Sequence, residues 1–162
     1  MAIRVRPARP DEAVALTDIV FRAKQSHGYD EAFMRACREE LAISPETLKR
    51  HDYWVAEDGD LLGCAALAPN RPVGEVHAFF VDPGVQRRGV GRSLWDVIKR
   101  EAILAGCAGL ALDADPAAVP FYEILGFRVV GDAPSGSIPG RMIPRMAIDL
   151  SPATAQDRVD HT

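Results

Sequence analysis

The stretch DPGVQRRGVGRSLW, residues 82–95, lies between two segments of different hydrophobic period. At its start it overlaps GEVHAFFVDP at 74–83, which has the apolar and aromatic composition of a β-strand ending at Pro83. After it, apolar residues recur at helical spacing from 94 to 105. A second apolar strand, GLALDA at 109–114, follows this helix. The order predicts a β-helix-β unit with a parallel strand pair and a right-handed crossover.

Antiparallel strands are predicted on both sides of this unit. The dipeptide Asp58-Gly59 separates β-like runs at 52–58 and 61–68, which is a strong hairpin signal. Two final strands are predicted at 127–132 and 142–150, around a loop rich in Gly, Pro and Ser. Parallel and antiparallel pairs together predict a mixed sheet with helices on its faces.

Helical patterns fill most of the first third of the chain. A short strand at Ile3–Val5 precedes a helix in which Pro10 suits the first turn. Asp30 is placed to cap a second helix. Ser44 is placed to cap a short helical turn that begins at Pro45.

Length and composition indicate a single globular unit. The chain has 162 residues, of which 48% are hydrophobic and 26% are charged. We expect one domain over 1–150 and a polar, frayed tail over 151–162. No apolar run approaches the ~18 residues that a membrane span needs, and the N-terminus lacks the apolar region of a secretory signal. A cytoplasmic protein with no membrane partner is therefore the expectation.

The net charge and the cysteine content argue against further classes of protein. The formal net charge of −4 argues against a nucleic-acid partner, because such proteins usually carry a basic face. The three cysteines, Cys37, Cys64 and Cys107, are widely spaced and contain no CxxC pair. We expect no disulfide framework and no metal site, and we predict that the thiols are buried as small hydrophobic groups.

The glycines at the start of the predicted central helix are typical of loops that bind phosphate groups. A P-loop requires Lys after its last glycine, where this chain has Arg92, and the GxGxxG dinucleotide motif requires a third glycine, where it has Leu94. Both motifs are rejected, but the remaining pattern still predicts a ligand with a phosphate or pyrophosphate. The pattern and its basic neighbours comprise Gln86, Arg87, Arg88, Gly89, Gly91 and Arg92.

Two motifs together resemble the GNAT N-acetyltransferase superfamily, whose members bind acetyl-coenzyme A (acetyl-CoA). FFVDPGVQRRGVGRSL at 79–94 resembles its Q/R-x-x-G-x-G/A signature, and DPAAVPFYEILGF at 115–127 resembles its second signature. The resemblance in strand order covers residues 3–150. It implies an α/β (α+β) fold of GNAT type, with a mixed, largely antiparallel central sheet of about seven strands. About four helices flank that sheet, and a splayed parallel pair lies at the cofactor site.

The resemblance also implies roles for individual residues at the cofactor. The backbone of Phe79, Phe80 and Val81 is expected to pair with the pantetheine arm like an added strand. Tyr122 matches the position of a general acid that protonates the leaving thiolate. At the position of Asp115 many members have an Asn that contacts the cofactor. An Asp can accept a hydrogen bond there but cannot donate one as an amide does. Backbone N–H groups are expected to wrap the pyrophosphate from Arg87 through Arg88, Gly89, Val90 and Gly91 to Arg92.

An attacking amine must be neutral, so the site also needs a base. Glu75 is the first candidate, because some family members place a catalytic glutamate at this position of the strand. His77 is the second candidate. Strand alternation predicts that Glu75, His77 and Phe79 share one face of the sheet.

The resemblance places the acceptor pocket among the first two helices and the last hairpin. The candidate acceptor-binding residues are Tyr29, His77 and Arg141. Arg141 could bind the carboxylate of an amino-acid-like acceptor, or it could lie on the hairpin surface. Tyr29 could line the pocket or serve packing alone.

We therefore expect an N-acetyltransferase that moves an acetyl group from acetyl-CoA to a primary amine by direct transfer in a ternary complex. A small-molecule amine is favoured over a protein amine. The alternative is a non-catalytic sensor of acyl-CoA with the same fold. A homodimer is common among proteins that look like this one. The resemblance extends to a group of bacterial GNAT proteins and does not name the acceptor.

Overall fold

A computed structural model describes residues 2–50, 52–85 and 88–150. Within these residues, seven strands form one sheet in the order β1-β2-β3-β4-β5-β7-β6. The strands are β1 Arg4–Pro7, β2 Asp52–Asp58, β3 Asp60–Ala68, β4 Val73–Val81, β5 Gly109–Asp113, β6 Arg128–Pro134 and β7 Met142–Asp149. The helices are α1 Ala13–Gln25, α2 Glu31–Leu41, α3 Pro45–Arg50, α4 Val90–Leu104 and α5 Val119–Leu125.

The sheet is mixed, as the sequence predicts. Strands β4 and β5 run parallel, and every other neighbouring pair is antiparallel. The predicted hairpin at Asp58-Gly59 is confirmed, because Asp58 pairs with Asp60 across the turn between β2 and β3. Gly59 has φ +79°, a left-handed conformation that glycine adopts without strain.

Strands β4 and β5 form a fork. They pair only over three positions, from Val73 opposite Gly109 to Glu75 opposite Ala111. Beyond this point β4 continues to Val81 and β5 to Asp113 without pairing to each other. The predicted splayed parallel pair is therefore confirmed, and α4 supplies the crossover between its strands.

A β-bulge interrupts β4 just beyond the fork. Ala66 of β3 lies opposite Ala78, but the next residue, Leu67, lies opposite Val76. His77 is therefore the extra residue on β4. Such an insertion shifts the alternation of side chains along the bulged strand.

The bulge overturns one prediction about the faces of β4. Val76, before the bulge, packs into the same apolar cluster as Phe79, after the bulge, whereas Ala78 packs into the cluster on the other face. Glu75 and Phe79 consequently lie on opposite faces of the sheet. The prediction that Glu75, His77 and Phe79 share one face is wrong, because it assumed unbroken alternation.

Each face of the sheet carries its own apolar core. On one face, Leu94 and Ile98 of α4 pack with Leu110 of β5 and Met146 of β7, and all four side chains are fully buried. On the other face, the apolar side of α1, including the fully buried Leu16, packs against β2 and β3. Each such large aliphatic side chain contributes about 1.5–3 kcal/mol when it leaves water. The two cores therefore pack against the sheet from both sides.

The helical predictions hold with small corrections. Asp30 accepts a hydrogen bond from the Phe33 N–H at 2.8 Å and so caps α2 as predicted. Ser44 accepts one from the Thr47 N–H at 3.1 Å, and the predicted turn is a regular helix, α3. Five helices are therefore described rather than about four.

The remaining predictions about the fold concern the first strand, the three thiols and the C-terminal tail. Strand β1 begins at Arg4 and ends at Pro7, beyond the Ile3–Val5 segment that the sequence predicts. Cys37, Cys64 and Cys107 are free and buried, as predicted. The tail over 151–162 lies outside the described residues. Within the described part of the chain, every helix is too short or too polar to cross a bilayer.

Candidate functional site

A cavity of about 880 Å³ opens where β4 and β5 separate. The β4 arm of the fork contributes its lining from Val76 to Val81. The β5 arm contributes Leu112 and Asp113, and the start of α4 closes one end. This is the location at which ligands of α/β folds commonly bind, beyond the carboxyl ends of parallel strands.

The start of α4 forms one end of the cavity. Gly89 precedes the helix with φ +83°, a conformation that side chains rarely adopt. A Cβ added at Gly91 would come to 3.0 Å from the Phe121 ring, so the helix approaches α5 closely only because this residue is glycine. The cavity lining here comprises Gly89, Val90, Gly91 and Arg92.

The first turn of α4 offers free hydrogen-bond donors. The Ser93 N–H donates to the Gly89 carbonyl at 3.0 Å, which leaves the N–H groups of the preceding helical residues without a partner inside the helix. These groups and the positive end of the helix dipole favour an anion, and Arg92 adds a positive charge. Arg88 is exposed and lies outside the cavity lining. The predictions for Gln86 and Arg87 fall outside the described residues.

The outer part of β4 has a free edge. On one side, Phe79, Phe80 and Val81 pair with β3. On the other side, no strand pairs with them among the described residues, and all three line the cavity. An extended ligand with amide groups can add to such an edge like a strand.

Tyr122 lies on α5 with its ring in the core and its hydroxyl at the cavity. The residue is 7% exposed, and its ring packs 6.0 Å from the Phe79 ring and 5.7 Å from the Phe127 ring. Its hydroxyl makes no hydrogen bond to any described residue. Every solvent-inaccessible side-chain oxygen of those residues has a hydrogen-bond partner, so this hydroxyl keeps some solvent contact, and Tyr122 is one of the residues that line the cavity.

The environment of Tyr122 keeps its phenol protonated. Burial raises the pKa of Tyr122 well above its usual value, and the negative charge of Asp115 raises that pKa further. A neutral phenol next to an open cavity can donate a proton to a thiolate. The arrangement therefore suits the general-acid role that the sequence motif predicts.

Asp115 is occupied by contacts within the chain. Its carboxylate pairs with Lys24 of α1 and accepts hydrogen bonds from the Tyr29 hydroxyl at 2.9 Å and from the Ala117 N–H at 2.9 Å. Burial raises the pKa of Asp115, but the bonds from Lys24 and Ala117 outweigh burial and hold that pKa below its usual value. Asp115 lines the cavity as a charged group whose two oxygens already accept hydrogen bonds within the chain.

The predicted acceptor residues Tyr29 and Arg141 meet each other, but outside the cavity. Arg141 Nη2 donates to the Tyr29 hydroxyl at 2.8 Å, and its guanidinium lies 4.9 Å from the centre of the Phe33 ring. Neither Tyr29 nor Arg141 lines the cavity. Both belong instead to a polar cluster behind Asp115 that joins α1, the start of α2 and the loop before β7.

Glu75, the first candidate base, is held away from the cavity. Arg145 of β7 binds both of its carboxylate oxygens, at 2.6 and 2.7 Å. Arg145 also donates to Asp113 Oδ1 at 2.9 Å. Glu75 is absent from the cavity lining, whereas His77, the second candidate, is part of it. The geometry therefore does not support Glu75 as the base, because both of its oxygens are occupied.

Several lining residues were missed by the sequence analysis. Asp113 ends β5, and its place at the carboxyl end of a parallel strand was a usable signal. The polar residues contributed by α1–α3 carried no motif. They comprise Lys24, Glu39, Glu40, Thr47 and Arg50.

Comparisons with known proteins agree with this geometry. A family model described as an acetyltransferase (GNAT) domain matches residues 15–137. The glucosamine 6-phosphate N-acetyltransferase of Trypanosoma brucei brucei is 36% identical over 77 residues, which cover 43% of this chain and 52% of that protein. The match thus spans about half the length of this curated relative.

Solved structures share the fold over nearly the whole chain. The PaiA N-acetyltransferase of Thermoplasma acidophilum, solved in complex with coenzyme A, has a TM-score of 0.76 at 18% identity, covering 92% of this chain and 99% of that one. The yncA acetyltransferase of Salmonella typhimurium, solved with acetyl-CoA, has a TM-score of 0.65 at 20% identity, with coverages of 93% and 95%. A GCN5-related N-acetyltransferase from Rhodopseudomonas palustris reaches a TM-score of 0.77 at 21% identity, with coverages of 92% and 96%.

Proposed function

Because this chain belongs to the GNAT acetyltransferase family, we propose that it transfers an acetyl group from acetyl-CoA to a primary amine. The observation that carries the proposal is Tyr122, which lines a cavity bounded by the free edge of β4 and the start of α4. One cavity thus combines an edge for an extended chain, donors for a pyrophosphate and a protonated phenol.

The residues of the fork are suited to hold acetyl-CoA. The free edge at Phe79–Val81 offers backbone groups to the amides of the pantetheine arm. The N–H groups at the start of α4 and the guanidinium of Arg92 suit the pyrophosphate. The Thermoplasma and Salmonella structures named above contain coenzyme A and acetyl-CoA on the same fold.

The chemistry we propose is direct transfer in a ternary complex. The amine nitrogen attacks the acetyl carbon, a C–N bond forms, and the C–S bond breaks. Tyr122 donates its phenolic proton to the departing sulfur, so the thiolate leaves as a neutral thiol. The proton lost by the nitrogen restores the phenol through solvent.

We favour a small-molecule acceptor over a protein amine. The end of the cavity where we place the acceptor is lined by residues of α1, α2 and α3, among them Lys24 and Glu40, and by His27 in the turn after α1, so several elements surround it. The relative from Trypanosoma brucei brucei is named for a small amine, glucosamine 6-phosphate. The match covers only 43% of this chain, so it supports the class of acceptor and not that compound.

Two measurements on the full chain test the proposal. Isothermal titration with acetyl-CoA reports binding, and release of free thiol from acetyl-CoA across a panel of primary amines reports turnover. Binding together with amine-dependent thiol release is the expected result. Binding without thiol release for any amine would favour the alternative of a non-catalytic acyl-CoA sensor, and absence of binding would refute the proposal.

A further inference from the structure

Three carboxylates surround the fork, and their contacts differ. Glu75 is bound through both oxygens by Arg145 and does not line the cavity. Asp115 is saturated by Lys24, Tyr29 and its own backbone turn. Asp113 is the third, and it alone of these combines a place in the cavity lining with an oxygen that is not already bonded.

Asp113 is held in one orientation while part of its carboxylate stays open. Arg145 lies opposite it in the β5–β7 register and donates to Oδ1 at 2.9 Å. No described residue donates to Oδ2, and the side chain is 41% exposed. Arg145 therefore fixes one oxygen, and the other is available at the cavity wall as a proton acceptor.

We propose that Asp113 is a catalytic residue that binds the acceptor amine and accepts its proton, an inference that rests on the acetyl transfer proposed above. Asp113 Oδ2 first takes one proton from the bound ammonium and passes it to solvent. As the neutral nitrogen then bonds to the acetyl carbon, its N–H proton passes to the same oxygen. The C–S bond breaks, and the sulfur takes its proton from Tyr122. Asp113 then returns a proton to the Tyr122 phenolate through solvent, so the net products are an amide and a free thiol.

The Glu75–Arg145 pair has a supporting role in this scheme. Arg145 carries one positive charge between two carboxylates, so the group of three keeps a net negative charge at the cavity wall. That charge attracts an ammonium group from water. Glu75 is then a positioning residue, because it holds the arginine that orients Asp113.

The test compares Asp113→Asn with Asp96→Asn, which removes an exposed aspartate on α4 outside the cavity lining. With an amine that the unmodified chain acetylates, we expect Asp113→Asn to lower kcat by about 10²-fold or more, the usual scale of general-base catalysis. Affinity for acetyl-CoA should stay within about twofold. Asp96→Asn should retain the original kcat.

A second readout separates catalysis from a structural role. The loss in Asp113→Asn should be greatest for alkyl amines, which are protonated at neutral pH, and clearly smaller for aryl amines, which are already neutral. A merely structural defect would lower the rate equally for both classes. Asp113→Ser should likewise lose more activity with alkyl amines than with aryl amines. It replaces Asp113→Asn in the test if the asparagine variant does not fold.

Three results would overturn the inference. They are an unchanged kcat in Asp113→Asn, an equal loss for both amine classes, and a larger loss in Glu75→Gln or His77→Gln than in Asp113→Asn. The failure of the proposed function is a different observation, since the unmodified chain would then release no thiol with any amine.

Discussion

Lys24 of α1 and Asp115, which leads into α5, form an ion pair that ties together two segments distant in sequence. Both side chains are largely buried, with exposed fractions of 15% and 10%. The Asp115 carboxylate also accepts a hydrogen bond from the Tyr29 hydroxyl, and that hydroxyl accepts one from Arg141. The pair therefore anchors a cluster that joins the acceptor-side helices to the segment that carries Tyr122.

Replacing Lys24 with Met should destabilise the chain by about 2–4 kcal/mol, because it leaves the Asp115 charge buried beside a neutral side chain. Urea unfolding monitored by circular dichroism measures the change. The matched control is Asp18→Asn, which breaks an exposed pair with Arg22 and should cost less than about 0.5 kcal/mol. Equal losses in the two variants would mean that the Lys24–Asp115 pair is not effectively buried.

Replacing Tyr122 with Phe should lower kcat by about 10²-fold while leaving the Kd for acetyl-CoA nearly unchanged, because only the proton donor is lost. The ring keeps its packing against Phe79 and Phe127. Thiol release and isothermal titration measure the two quantities. A large loss of affinity with unchanged kcat would contradict the role of general acid.

Replacing Gly91 with Ala should weaken acetyl-CoA binding by at least about tenfold, because the new Cβ meets the Phe121 ring at 3.0 Å and pushes α4 away from α5. Gly131→Ala is the control, since the space around Gly131 is open. Isothermal titration of both variants gives the comparison. If Gly91→Ala binds as the control does, the close approach is not needed for the cofactor site.

Stability should decrease in alkaline solution through Cys64. Burial raises the pKa of this thiol from 9.0 to about 12, so in that window the folded chain keeps a proton that the unfolded chain loses. The free energy of unfolding is therefore constant below pH 9 and falls above it, by at most ~1.4 kcal/mol per pH unit for one proton. Burial of Tyr53, whose pKa rises to about 12, adds a decrease of the same sign above pH 10.

Urea titrations between pH 8 and pH 11 measure this slope, and Cys64→Ala should reduce it whatever its effect at neutral pH. A slope that is the same with and without the thiol would show that Cys64 ionises normally in the folded chain.

Most of the fold was predicted correctly from local sequence patterns. The Asp58-Gly59 turn, the cap at Asp30 and the glycines before α4 act through neighbouring residues, so the sequence displays them directly. Tyr122 was found through a motif that spans one helix and its entry turn. These features need no knowledge of distant contacts.

The positions of the candidate site residues that the sequence did not predict depend on contacts between distant segments. The bulge at His77 depends on how β4 pairs with β3, and it reversed the face of Glu75. Arg145, far along the chain, binds both oxygens of Glu75 but only one oxygen of Asp113. Arg141 and Tyr29, both predicted at the acceptor, contact each other, and Tyr29 contacts Asp115, but neither lines the cavity.

The short contact between β4 and β5 also has a mechanical meaning. Three residue pairs join β1–β4 to the remaining strands, so the sheet is two half-sheets connected by a narrow seam. A ligand that hydrogen-bonds to the separated arms of both β4 and β5 would lengthen this seam. We therefore expect such binding to stiffen the twist between the two half-sheets.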